Sequence, residues 1–181
     1  QYLTSRRLAE ALSARLTEDD GPEVVLVLPE KTGGWLEQVT MDVLRGRVLE
    51  RLKAADHHDR LRVYYPFQPG LGDDCISVHA KLMIVDNRLL RVGSSNTSNR
   101  SMGLDTECDL AIESDGRDGE VSRYIGGLRS RLLAEHLDCT VSASHPLRRK
   151  GIGHAGRHVL RQYGCTPRRN AQAGAGPRRT C

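Results

Sequence analysis

The chain reads as an α/β protein: a mixed β-sheet flanked by helices. Three observations predict this. Short apolar runs of strand length (Val24 to Leu28, Leu61 to Tyr65) alternate with longer stretches of helical period. Two further apolar runs, His79 to Val85 and Leu89 to Val92, flank a three-residue turn at Asp86-Asn87-Arg88, the pattern of a hairpin. Hydrophobic residues make up 38% of 181, enough for one core and little more.

The elements follow in order. Ser5 to Leu16 is a predicted helix, with Leu8, Ala11, Leu12 and Leu16 near helical spacing and Thr4 or Ser5 as cap. Val24 to Leu28 is a continuous apolar strand ended by Pro29. Trp35 to Ala55 reads as a long helix whose apolar side is Leu36, Val39, Val43, Leu44, Val48 and Leu52. Leu61 to Tyr65 is a second strand, stopped by Pro66. The loop "PFQPGLGDDC" leads to the hairpin, then to a fifth strand, Asp109 to Glu113. Val121 to His136 closes the body as a helix, with Tyr124, Ile125, Leu128, Leu132 and Leu133 inward.

The reading gives two regions: a body over 1–141 and a basic, glycine- and arginine-rich tail over 142–181. The last acid is Asp138, and nine bases with no acids follow it, leaving 18 bases against 23 acids in the first 138 residues. The body is therefore mildly acidic, and the overall positive charge is no sign of a basic groove. The tail's composition cannot bury enough apolar surface to order itself and is expected to be disordered. No stretch is apolar for the roughly 18 residues a membrane span needs. Cys75, Cys108, Cys139, Cys165 and Cys181 are odd in number, without C-x-x-C spacing. That argues against a zinc site or a disulfide framework and for a reducing, cytoplasmic setting.

The chemistry concentrates in "SVHAKLMIVDNRLLRVGSSNTSNRS", Ser77 to Ser101. On a strand, His79 and Lys81 point to the same face. A neutral imidazole is a nucleophile toward phosphorus, and an ammonium beside it stabilises the developing negative charge. Gly93 allows a ligand to approach closely, the Ser94 hydroxyl donates, and Asn96 adds further donors. Glu107 can accept the far N–H of His79 and fix its tautomer. Taken singly each has an ordinary explanation; a lone strand histidine is usually structural, and Asp86 is ordinary turn chemistry. His57-His58, beside a helix end, lacks a lysine two residues on and reads as exposed polar surface.

The joint spacing is what carries weight. "HAKLMIVD" fits H-x-K-x-x-x-x-D, "GSSN" fits G-S-x-N six residues later, and "MGLDTECDLAIE" supplies the acid. With "QYLTS", "GWLEQVTMDVLRGRVLERL" and "LRVYYPFQPGLGDDCISVHAK", this resembles the phospholipase D superfamily, in the second of its two catalytic motifs, over roughly Gln1 to His136. The flanks are similar to bacterial phospholipase D-like and cardiolipin synthase-like proteins. The resemblance implies one half of a two-fold phospholipase D-like fold. It implies that His79 is one of two catalytic histidines, that Lys81, Ser94 and Asn96 bind phosphate, that Asp86 ties the motif together, and that Glu107 orients His79. It implies no metal and no cofactor.

The chain holds one such motif. The second histidine is expected from a homodimer partner or from an N-terminal half, and the mid-sequence opening at Gln1-Tyr2 favours the latter. The implied substrate is a phospholipid, hydrolysed or transferred to an alcohol. Another phosphodiester is the alternative, with nucleic acid disfavoured by the acidic body. A different class of reading is an inactive fragment that only binds phosphate-bearing surfaces. Membrane contact would be peripheral, with Tyr64, Tyr65 and Phe67 as interfacial anchors or, equally, as packing residues.

Overall fold

A computed structural model of the chain describes residues 2–34, 38–71, 74–116, 119–137 and 159–162. Helix α1 spans Arg6–Thr17, and the Ser5 hydroxyl accepts from the Leu8 N–H, which satisfies one of the free donors of the first turn. Strand β1 is Val24–Val27. A π-helical stretch, Gln38–Asp42, runs into α2, Val43–Ala55. Strand β2 is Leu61–Phe67. Strands β3 (Leu82–Val85), β4 (Leu89–Gly93) and β5 (Asp109–Glu113) precede α3, Gly119–Leu137. Strand β6 is Val159–Gln162.

The strands form two three-stranded sheets, ordered β1-β2-β6 and β3-β4-β5. In the first, β1 and β2 are parallel with Val24 opposite Leu61, joined by the α2 crossover, and β6 is antiparallel to β2. The second is an antiparallel meander. The class is thus the expected mixture of parallel and antiparallel strands with helices. The main core lies where α1 and α2 meet the first sheet: Leu3, Leu16, Leu28, Leu49, Leu52, Leu61 and Val63. Arg45 is buried there, donating to the Pro29 and Glu30 carbonyls at 2.8 Å each and paired with Asp42 at 2.9 Å. It ties the start of α2 to the end of β1.

Four expectations need correcting. Pro66 does not stop β2, which runs on to Phe67. The Tyr64 carbonyl accepts from Leu28 at the end of β1, so the two-residue period aims Pro66 at the same side, where β1 no longer pairs. The missing N–H therefore breaks no bond on that side. The long helix is split: Trp35 lies outside the described residues, and Val39, Val43 and Leu44 are exposed while Arg45, Leu49 and Leu52 face inward. Within α2 the inward residues Arg45, Leu49 and Leu52 follow regular helical spacing, which places Val43 on the far side. In α3, Tyr124 faces out and Ile125 is fully buried. In the tail, four residues form β6 rather than irregular chain; the edge of β2 that faces away from β1 offers backbone groups, and residues 159–162 pair with it from Tyr64 to Phe67. The remainder of 142–181 lies outside the described residues.

Candidate active site

The site is built at one end of the β3-β4-β5 meander. β4 is the central strand, so the residues leaving its end sit between those entering β3 and those entering β5. His79 and Lys81 come in ahead of β3. They lie in extended chain before the strand, which begins at Leu82; only the Lys81 carbonyl joins the ladder, accepting from the Gly93 N–H at 3.1 Å. Ser94 and Asn96 leave β4. Glu107 precedes β5. Together these five side chains line one cavity of about 750 Å³, within the roughly 300–1,000 Å³ of small-molecule sites.

Lys81 Nζ lies 3.1 Å from His79 Nε2. An ammonium only donates, so Nε2 is the acceptor and the ring proton sits on Nδ1. The Ser94 hydroxyl donates to Glu107 at 2.6 Å and accepts from the Cys108 N–H at 3.0 Å. The Asn96 carboxamide oxygen is buried without a hydrogen-bond partner, a cost that ligand-binding groups commonly carry. Part of the lining is apolar: Leu82 and Val92 from the sheet, Leu128 and Leu132 from one face of α3. α3 is fixed over the hairpin by Arg129, which donates to the Asp86 carbonyl at 2.8 Å.

The structure gathers His79, Lys81, Ser94, Asn96 and Glu107, but pairs them differently from expectation. Glu107 was expected to orient His79; its partner is Ser94, and the partner of His79 is Lys81. The strand order explains this, since Ser94 leaves the central strand between them. Asp86 is not brought to the cavity. It sits in the β3–β4 turn with φ 52°, roughly 17 Å along the strand from Lys81. Its backbone, not its carboxylate, holds α3 there. Tyr64 is 6% exposed within β2 and packs rather than anchoring to a surface.

Two links escaped the sequence. Asp109 accepts from the Ser95 N–H at 3.3 Å, from the Ser95 hydroxyl, and from Arg91 at 2.7 Å. The Ser95 hydrogen bonds, then Arg91, hold its carboxyl below the usual value. The only sequence signal was a second acid two residues after Glu107. The loop beyond Asn96 is stitched to the N-terminal segment: the Thr4 and Ser5 N–H groups donate to the Thr97 carbonyl at 3.0 Å each, Thr97 Oγ1 donates to the Tyr2 carbonyl at 2.6 Å, and Asn99 accepts from the Arg6 N–H at 3.1 Å. Among the described residues, no three His, Cys, Asp or Glu side chains cluster as a metal site, and no helix is long and apolar enough to cross a membrane.

Imidazole, ammonium, hydroxyl, carboxamide and carboxylate groups thus gather at one end of the β3-β4-β5 meander of this α/β protein. A family profile described as "Cardiolipin synthase, PLD-like domain" matches residues 1–127, and the chain belongs to that phospholipase D-like family. It is 35% identical over 82 residues to phospholipase D A of Dictyostelium discoideum, covering 39% of this chain and 6% of that protein. It is 35% identical over 77 residues to phospholipase D1 of Schizosaccharomyces pombe, and 32% identical over 93 residues to phospholipase D1 of Saccharomyces cerevisiae. Those alignments cover 37% and 45% of this chain and 6% of each relative, so the chain matches a small part of much longer proteins.

Proposed function

We propose that the chain supplies one catalytic half of a phospholipase D-type phosphodiesterase acting on phospholipid. The carrying observation is a cavity lined both by the polar groups of His79, Lys81, Ser94, Asn96 and Glu107 and by the aliphatic side chains of Leu82, Val92, Leu128 and Leu132. A lipid phosphodiester has both features: an anion for the polar groups and a glyceride for the aliphatic ones. A nucleic acid would leave the aliphatic side chains wet and would meet an acidic body.

In the proposed path, His79 Nε2 attacks phosphorus and the bond from phosphorus to the head-group oxygen breaks. Lys81, Ser94 and Asn96 hold the phosphoryl oxygens. The leaving alkoxide needs a proton, and His79 is occupied by phosphorus at that moment. A second histidine from another H-x-K motif supplies it, either in a second copy or in another stretch of a longer protein. That group then takes a proton from water, the water attacks the phosphohistidine, and His79 is released. An alcohol in place of water gives phosphatidyl transfer by the same steps.

The test is head-group release from a short-chain phospholipid, with mass spectrometry of a rapidly quenched sample. The expected result is an adduct on His79 and turnover reduced about a thousandfold or more in His79→Ala. Turnover that survives His79→Ala would overturn the mechanism. Binding to anionic vesicles with no turnover under any pairing would favour the binding-fragment reading.

A further inference from the structure

Resting on that reading, we propose that Asp109, which does not itself line the cavity, is a positioning residue that sets the geometry of the loop that carries Ser94 and Asn96. Three observations converge on it. Successive residues of the loop face opposite ways, so Ser94 turns to Glu107 in the cavity while Ser95, 5% exposed, turns away to Asp109. Asp109 takes both donors of Ser95, its N–H and its hydroxyl, so the backbone between the two serines is gripped rather than merely touched. Finally, a Cβ at Gly93 would overlap the Asp109 carboxylate and the Cys108 carbonyl. Gly93 has no positive φ; glycine is required there for space, and the space is Asp109's.

The arrangement has a charge logic. The carboxylate faces Arg91 on β4, directly across from the β5 backbone, so the clamp is locally neutral. Ser94 Oγ donates to Glu107 and accepts from Cys108, which leaves its direction dependent on the backbone beneath it. Releasing Ser95 frees that backbone, and the Ser94 hydroxyl and Asn96 carboxamide on either side of it lose their fixed placement at once.

The experiment titrates the chain with inorganic phosphate and follows the backbone amide signals of Ser94, Ser95 and Asn96 by NMR, alongside thermal unfolding. Lys81→Ala marks loss of the site itself. In Asp109→Asn and Asp109→Ala the phosphate Kd should rise about tenfold to a hundredfold, the scale of an ångström-level misplacement. Gly93→Ala should lose both stability and phosphate affinity. Combining Gly93→Ala with Asp109→Ala removes the overlap with the carboxylate, so the unfolding temperature should recover part of its loss while phosphate affinity stays low. If affinity returns together with stability, Asp109 is a packing residue and the proposal fails. Wild-type affinity in Asp109→Asn would also overturn it. If phosphate moves none of these signals in wild type, or if Lys81→Ala binds as wild type does, the phosphate reading falls and takes this proposal with it.

Discussion

In the proposed path, the 3.1 Å contact between Lys81 Nζ and His79 Nε2 has to break before the imidazole attacks phosphorus. A phosphate entering the cavity would offer the ammonium a stronger, charged acceptor, so substrate itself would expose the proposed nucleophile. Lys81→Met should therefore leave the imidazole free yet cut kcat/KM by roughly 100-fold or more, through lost charge stabilisation; steady-state kinetics would show it. Asp109 gives the residue-scale pH dependence. Its carboxyl is held below its ordinary 3.8, so its contribution to stability is fully present above that pH and is lost as pH falls through the lower folded-state value. Thermal unfolding between pH 5 and 2.5 should show wild type losing its advantage over Asp109→Asn only below about pH 3.8. At this scale the identities of the cavity residues were legible, because five fixed spacings agreed. Their partners were not. Which donor meets Glu107 depends on β4 lying between its neighbours, and spacing along one chain does not contain that.

Elements were most legible where one local cause dominates. Ser5 caps α1 as expected, and Ser5→Ala should cost about 1 kcal/mol in urea unfolding. Leu52, fully buried between the helices and the first sheet, should cost about 2–5 kcal/mol as Leu52→Ala in the same measurement. Misreadings came where a neighbour overrides the local rule. Pro66 sits inside β2 because β1 has already ended on the side its nitrogen faces. Val43 and Leu44 are apolar yet outward, because the inner face of α2 runs Arg45, Leu49, Leu52 at regular helical spacing and leaves them off it. His79 and Lys81 were read as strand from alternation alone, whereas the ladder begins at Leu82.

Over the whole molecule, one face of the β3-β4-β5 sheet is entirely aliphatic: Leu82, Ile84, Leu90, Val92, Leu110 and Ile112 share it by register. Only Leu90 is buried, and Leu110 is 75% exposed. The same face borders the cavity through Leu82 and Val92. On the proposed mechanism the second histidine and the exposed part of this face would be met together by a second motif-bearing unit. With a second copy in that place, specific activity should rise with chain concentration, and Leu110→Lys should flatten the rise. Activity absent at every concentration, and restored by a polypeptide carrying another H-x-K motif, would place the second histidine there. The single motif in the sequence is what raises the expectation of a partner. The exposure of the face was not legible, because an alternating strand shows which residues share a side and not what lies against them.

The stitch between Tyr2–Arg6 and Thr97–Asn99 ties the N-terminal segment to the loop that follows Asn96. Load applied at Tyr2 is therefore shared between Leu3 in the main core and the carbonyl of Thr97, one peptide from Asn96. In a single-molecule pulling experiment with one handle ahead of Tyr2, the phosphate loop should distort at forces that leave both sheets intact. Strain at one end of the polypeptide would then read out as slower turnover in a fully folded protein.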